Sequence, residues 1–252
     1  MRSETLPQVV RRKEAILFDL FHTLTALEST WSSGPMTFEA LGVSKRAWDE
    51  QLLEKSRERL SGEIKDPVTI IRKMAHAIDP SISEKTIAAA VKNRKERFAG
   101  ALLAVPDDTC KVLVALKAIG KKIGLISNAD VMEVAAWDRS PIAPYFDSVV
   151  FSCQVGYVKP EAEIYRLSMQ QLGVEARRCL FVGDGGSHEL EGARNLGITT
   201  VMIAGIIREI WPDRIKARQA HADYVIEWLS ELIRDGDRAS VHNGRHGKQP
   251  AT

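Results

Sequence analysis

The sequence predicts an α/β fold: a doubly wound, Rossmann-like parallel sheet with an all-helical segment inserted after the first strand. Short continuous apolar runs recur along the chain, the pattern of strands buried on both faces. Segments of helical spacing closed by glycine lie between the later runs, which implies right-handed crossovers. Residues 27–105 differ, carrying helical patterns and no β-branched run.

The elements follow in order. A polar extension, 1–13, precedes the run Ala15-Ile16-Leu17-Phe18, which ends in Asp19. Inside 27–105, helices are expected over Phe38–Leu41, Lys45–Leu60, Asp66–Ile78 and Ser83–Leu103. The turn signals are Gly42, Gly62 and Asp79-Pro80. An all-helical block of this length within a sheet protein reads as an inserted cap rather than one long crossover. Further strands are expected at Ile123–Ile126, Val149–Phe151, Leu180–Val182 and Thr200–Ile203, with a short last one at Tyr224-Val225. Helices between them run from Thr109 to Ile119, Glu161 to Leu172 and Glu189 to Leu196, closed by Gly120, Gly173 and Gly197. The expected catalytic core is therefore 14–26 plus 106–235. Residues 236–252 are polar with few large apolar side chains and read as a disordered tail.

Composition narrows the function. With 35 basic against 33 acidic residues the net charge is +2, which speaks against a broad positive field for nucleic acid. No window approaches the roughly 18 apolar residues of a membrane span. No apolar amino-terminal stretch resembles a signal peptide. Cys110, Cys153 and Cys179 are odd in number and lack CxxC spacing, so a disulfide framework or zinc site is not expected. The expected location is the cytoplasm, and the thiols are expected to be buried and inert.

Parallel sheets bind ligands outside the carboxyl ends of their strands. The residues just past the runs are Asp19, then Ser127-Asn128, then Asp184 in a glycine-rich turn, with Lys159 a short loop beyond the third run. Two carboxylates supply hard oxygen ligands for Mg²⁺. Lys159 offsets their repulsion and that of an anionic ligand, and Ser127 donates a hydrogen bond. Asp184-Gly185-Gly186 does not complete a dinucleotide fingerprint, because His188 stands at its last glycine position.

Four strings, in order, carry a resemblance: Phe18-Asp19-Leu20-Phe21-His22-Thr23-Leu24; Leu125-Ile126-Ser127-Asn128-Ala129; Gly156-Tyr157-Val158-Lys159-Pro160-Glu161; and Phe181-Val182-Gly183-Asp184-Gly185-Gly186-Ser187-His188-Glu189-Leu190. Together they resemble the four motifs of the haloacid dehalogenase superfamily. The resemblance implies that Asp19 is a nucleophile forming a covalent aspartyl intermediate. It implies Mg²⁺ held by Asp19, the backbone carbonyl of Phe21 and Asp184. It further implies that Ser127, with Asn128 beside it, and Lys159 position a phosphate, and that Glu189 holds a metal-bound water or orients Lys159. The expected substrate is a small phosphorylated metabolite; nothing points to a preferred oligomeric state.

Phe21 departs from that pattern. Phosphatases of this superfamily usually carry an acid two residues past the nucleophile, where it protonates the leaving oxygen and then activates water. Such help is worth roughly 10²- to 10⁴-fold. His22 is adjacent and would substitute if its ring faced the site, yet neighbouring side chains on a strand-to-loop turn usually diverge, so a packed histidine is the expectation. An aromatic residue at this position resembles the 2-haloacid dehalogenases, which need no leaving-group acid and no metal. They hold their substrate with an arginine and aromatic side chains, but spacing singles out none of Trp31, Phe38 or Arg57. Three readings therefore stand: a Mg²⁺-dependent phosphatase, a carbon–halogen hydrolase, and a non-catalytic binder of a phosphorylated ligand. Trp48, Trp137, Trp211 and Trp228 are expected as core or interface anchors.

Overall fold

The computed structural model describes residues 4–53 and 55–234, and the backbone of 240–241. Its centre is a sheet of seven strands: β1 Ala15–Phe18, β2 Lys122–Ser127, β3 Ser148–Phe151, β4 Cys179–Gly183, β5 Thr199–Ile203, β6 Tyr224–Ile226 and β7 Ser240–Val241. Their spatial order is β3-β2-β1-β4-β5-β6-β7. The first six are parallel to their neighbours, and only β7 is antiparallel. The expected 236–252 tail lies outside the described residues except for this two-residue pairing.

The α-helices are α1 Leu6–Arg12, α2 Thr37–Leu41, α3 Lys45–Leu53, α4 Arg57–Leu60, α5 Pro67–Ile78, α6 Glu84–Leu103, α7 Asp107–Ala118, α8 Ser152–Val155, α9 Ala162–Leu172, α10 Glu189–Asn195, α11 Gly205–Ile210 and α12 Ile215–Gln219. Alternation along β1 shows why both sheet faces are covered. Ile16 and Phe18 point into a cluster with Leu6 and Val10 of α1 and Val112 and Leu113 of α7. Ala15 and Leu17 point into a second cluster with Ile164 and Tyr165 of α9 and Leu190 of α10. All four β1 residues are fully buried, and each large one contributes about 1.5–3 kcal/mol of apolar burial.

Two expectations need correction. The 1–13 segment is not a bare polar extension, because α1 inserts Leu6, Val9 and Val10 into the core beneath Leu229 and Leu232. Its i, i+3, i+4 spacing spans a single turn inside a polar flank, too little to stand out as periodicity. The helix expected over Lys45–Leu60 is two, α3 and α4, and the second turns Arg59 and Leu60 into buried positions.

Between β1 and β2, helices α2, α3, α5 and α6 surround a cluster of their own that includes Trp48, Ile71, Met74, Ile87 and Val91. Met132, from the loop after β2, joins it from the sheet side. Asp66 and Ser83 cap α5 and α6 by accepting from Thr69 N and Thr86 N. No helix among the described residues is long and apolar enough to cross a membrane.

Candidate active site

Register brings the chemistry together. Phe18 is level with Val182 on β4 and with Leu125 on β2, so the residues just beyond these three strands share one rim. The Asp19 amide donates to Val182 O at 2.9 Å, carrying the pairing one residue past β1. Asp19 is buried, its side chain 11% exposed, and the carboxylate sits among fixed partners. Thr23 Oγ1 donates to its Oδ2 at 3.0 Å and Lys159 Nζ to its Oδ1 at 2.5 Å.

Lys159 bridges two acids, also donating to Glu189 Oε2 at 2.5 Å. Burial pulls the Lys159 ammonium down, but Asp19 and Glu189 outweigh it and raise its pKa above the ordinary lysine value. Burial and the neighbouring Asp19 push Glu189 well above the ordinary carboxylate range. Its other oxygen accepts from Gly185 N at 2.9 Å, and Tyr165 donates to its backbone carbonyl at 2.8 Å. Glycine is required at position 183, where a Cβ would overlap the Glu189 carboxylate.

Asp184 is fixed differently. Gly186 N donates to its Oδ1 at 2.6 Å, and Arg218 Nη1 donates to its Oδ2 at 2.8 Å and its carbonyl at 3.1 Å. Burial would raise this carboxyl, but His22, Arg218 and the Gly186 N–H hold it down at about 2. One carboxylate oxygen from each of Asp19, Asp184 and Glu189 falls within 4.8 Å of the others. Three buried carboxylates with hard oxygen donors at this spacing suit a divalent cation such as Mg²⁺.

Ser127 lies at the same rim, fully buried, and its hydroxyl has no hydrogen-bond partner. Such an orphan costs about 1–3 kcal/mol, and an incoming anionic oxygen at this rim would satisfy it. Asn128 is engaged by the loop that carries Lys159. Its Oδ1 accepts from Lys159 N at 2.7 Å and its Nδ2 donates to Lys159 O at 3.0 Å, so its amide clamps the lysine loop.

His22 does not diverge from the site as expected. Its φ of 61° turns the ring so that Nδ1 lies 3.7 Å from Asp184 Oδ2, while the buried Nε2 has no partner. Phe21 turns instead toward Trp31, at 5.6 Å between ring centroids, and Phe98, at 5.1 Å. His22 stacks on Trp31 at 5.9 Å and meets Trp211 edge-on at 5.4 Å. Thr23, Arg218, Trp31 and Phe98 were not singled out by sequence reasoning. Thr23 stands inside the first motif string; the other three come from remote elements and carry no local signal. Arg57 takes no part, pairing with Glu161 at the surface. Trp48 and Trp137 are buried as expected, whereas Trp228 is exposed.

The family model for haloacid dehalogenase-like hydrolases matches residues 13–197. The chain belongs to that family. A glyceraldehyde 3-phosphate phosphatase of Methanocaldococcus jannaschii is 33% identical over 137 residues, 53% of this chain and 57% of that protein. The match thus spans little more than half the length of that relative. Among solved structures, one described as a dehalogenase superposes with a TM-score of 0.60 at 21% identity, covering 87% of this chain and 95% of that one. A haloacid dehalogenase family enzyme from Bacteroides thetaiotaomicron, solved with magnesium and inorganic phosphate, gives 0.56 at 19% identity, covering 76% and 94%. At such identities these neighbours speak for the fold alone, and they agree with the parallel sheet flanked by helices described above.

Proposed function

We propose that the chain is a Mg²⁺-dependent phosphomonoesterase acting on a small phosphorylated metabolite through a covalent intermediate on Asp19. The observation that carries this reading is the buried Asp19 carboxylate, held by Thr23 and Lys159 with Asp184 converging beside it. The named phosphatase relative supports it. Asp19, Asp184 and the carbonyl of Phe21 would hold the metal. When bound, the cation would screen the negative charge of the phosphoryl oxygens and the carboxylates.

The chain's own residues do the rest. Thr23 and Lys159 hold Asp19 so that one oxygen is directed at phosphorus, and the unpartnered Ser127 hydroxyl donates to a phosphoryl oxygen. Asn128 keeps Lys159 in place through its backbone. Attack forms the bond from the Asp19 oxygen to phosphorus as the ester bond breaks, and water then cleaves the aspartyl phosphate. The helices between β1 and β2 act as the cap that excludes bulk water. Three unpaired cysteines fit a reducing, cytoplasmic setting.

A second reading has its own observation. The Phe21, Trp31 and Phe98 rings beside the nucleophile suit displacement of halide from a 2-haloacid. Turnover of p-nitrophenyl phosphate and of 2-chloropropionate, each with Mg²⁺ and with EDTA, separates the two. Phosphate release that needs Mg²⁺ and disappears in Asp19→Asn is the expected result. Halide release in EDTA would replace the first reading with the second. Silence on both, with phosphate still bound, would leave a non-catalytic binder.

A further inference from the structure

The cavity beside the nucleophile loop has unexpected walls for a site that handles a polar metabolite. It measures about 230 Å³ and begins at Phe21 and His22, two and three residues past Asp19. Trp31, Phe98, Trp48 and Trp211 continue its lining. Trp31 and Phe98 touch each other as well as Phe21, with centroids 5.2 Å apart, so these three rings form one continuous aromatic surface. The cavity's edge is also close to the chemistry, because His22 Nδ1 is 3.7 Å from Asp184 Oδ2.

Charged residues line the cavity too, but the buried ones are already neutralised. Arg59 pairs with Asp130 at 3.0 Å and Glu133 at 3.4 Å, and Arg94 pairs with Glu133. At the outer edge Lys45 pairs with Asp49, and the Arg214 guanidinium lies over the Trp211 ring at 5.1 Å, so among the described residues the inner part of the cavity presents no unpaired cation. Hydroxyls of a leaving group laid against Phe21, Trp31 and Phe98 would find no hydrogen-bond partner on those rings, at a cost for each one desolvated; Glu28, Thr37 and Asp49 lie elsewhere in the lining. A flat apolar group matches both the chemistry and the size, since a dry cavity of about 150 Å³ already takes benzene.

Phe21 ties this shape to the reaction. Phe21 offers no proton to a leaving oxygen at that position, which favours a leaving group stable as its anion. An alkoxide is about as basic as hydroxide, whose parent water has a pKa of about 15.7. A phenolate leaves from an acid of pKa about 10. The residue that removes the acid is the same residue that supplies part of the aromatic wall.

Resting on the phosphomonoesterase reading, we propose that the substrate is an aryl phosphate, its ring seated against Phe21, Trp31 and Phe98. In the first step the Asp19 oxygen–phosphorus bond forms and the aryl oxygen–phosphorus bond breaks, and the phenolate leaves with the electron pair. It then takes a proton from solvent. In the second step a water oxygen bonds to phosphorus, the Asp19 oxygen–phosphorus bond breaks, and the water's proton passes to the phosphate dianion or solvent. The sum is one aryl phosphate and one water converted to one phenol and one phosphate.

The test compares kcat/KM with Mg²⁺ for phenyl phosphate, glyceraldehyde 3-phosphate and acetyl phosphate, the last having a good leaving group and no ring. Phenyl phosphate is expected to exceed glyceraldehyde 3-phosphate by about 10²-fold or more. Phe21→Asp should narrow that ratio by about 10²-fold by restoring an acid, and Trp31→Ala should lower the phenyl-to-acetyl ratio by about tenfold. Should Trp31→Ala fail to fold, inhibition of the wild-type enzyme supplies the same comparison. Phenylphosphonate should then bind about tenfold or more tightly than methylphosphonate. Glyceraldehyde 3-phosphate turned over as well as phenyl phosphate, or equal binding of the two phosphonates, would overturn the aryl assignment while leaving the phosphatase reading intact. No hydrolysis of any of the three phosphate compounds would remove both.

Discussion

Replacing Lys159 with methionine tests how the nucleophile is held. The ammonium lies 2.5 Å from Asp19 Oδ1 and 2.5 Å from Glu189 Oε2, with 2% of the lysine side chain exposed. Methionine fills much the same volume but leaves two buried acids without their cation. Removing one partner of a buried pair costs about 3–5 kcal/mol. Burial and Asp19 raise the Glu189 pKa well above the ordinary carboxylate range, so proton uptake there on loss of the ammonium blunts the cost. The lower part of that range is therefore expected. At about 2–4 °C per kcal/mol for a chain of this size, Lys159→Met should melt about 6–12 °C below wild type in EDTA at neutral pH. Calorimetry of Glu189→Gln and of the double variant completes a cycle. Removing the second acid should restore part of the loss, so the double variant should melt above Lys159→Met. If the two losses simply add, or Lys159→Met shifts the midpoint by less than about 2 °C, the bridge is not what holds these acids together.

Asp184 sets an acid limit. Its carboxyl is held at about 2, against 3.8 for a free one, so its contribution is complete above pH 4 and is lost as pH falls toward 2. Acid titration of the metal-free protein should show about 2 kcal/mol lost across that window, and Asp184→Asn should flatten that limb. The cysteines should separate by accessibility. Cys153 and Cys179 are buried, and burial raises both thiols to about 11, whereas Cys110 is partly exposed. Native alkylation followed by mass spectrometry should give one adduct at Cys110 and all three only after denaturation; early modification of Cys153 would contradict the packing. Gly100 in α6 lies against the backbone of Trp31, where a Cβ would overlap the carbonyl oxygen. Gly100→Ala should lower stability by about 1–3 kcal/mol despite alanine's better helix propensity, and an unchanged denaturant midpoint would show that the close approach does not matter.

Much of the fold and rim was legible because burial on both sheet faces leaves a plain mark, the continuous apolar run. Each run ends where the strand leaves the core, so Asp19, Ser127 and Asp184 announce themselves by following one. The strands extend only one or two residues beyond those runs, as at Lys122–Ser127. What escaped depends on geometry that no local pattern encodes. The inward turn of His22 follows from a φ of 61°, a conformation rare for a side-chain-bearing residue. Arg218 reaches Asp184 from 34 positions away, and Phe98 meets Phe21 from the far end of a 20-residue helix. Contacts of that range are products of packing. Asn128 was recognised by position, but only its two bonds to Lys159 show that it serves the lysine.

The loop after β2 explains how a buried Ser127 can keep a free hydroxyl. An unsatisfied buried donor persists only where its surroundings leave it no alternative. One residue on, Asn128 is tied by both amide atoms to the backbone of Lys159, itself bound to Asp19 and Glu189. Ala129 N then donates to Ser152 Oγ at 3.0 Å. Asp130, fully buried, accepts from Arg59 at 3.0 Å and faces Arg94 at 3.6 Å, while its amide donates to Glu133 at 2.9 Å. Ser127 is thus followed by three consecutive residues fixed to three different elements, and preceded by a strand paired on both sides. It cannot rotate its backbone toward a partner without breaking buried charge-assisted bonds, each worth about 1.5–3 kcal/mol, to recover a neutral one worth about 1 kcal/mol. The hydroxyl is left unpaired because its neighbours are over-determined, and an incoming anionic oxygen at the rim can satisfy it with no rearrangement of the chain.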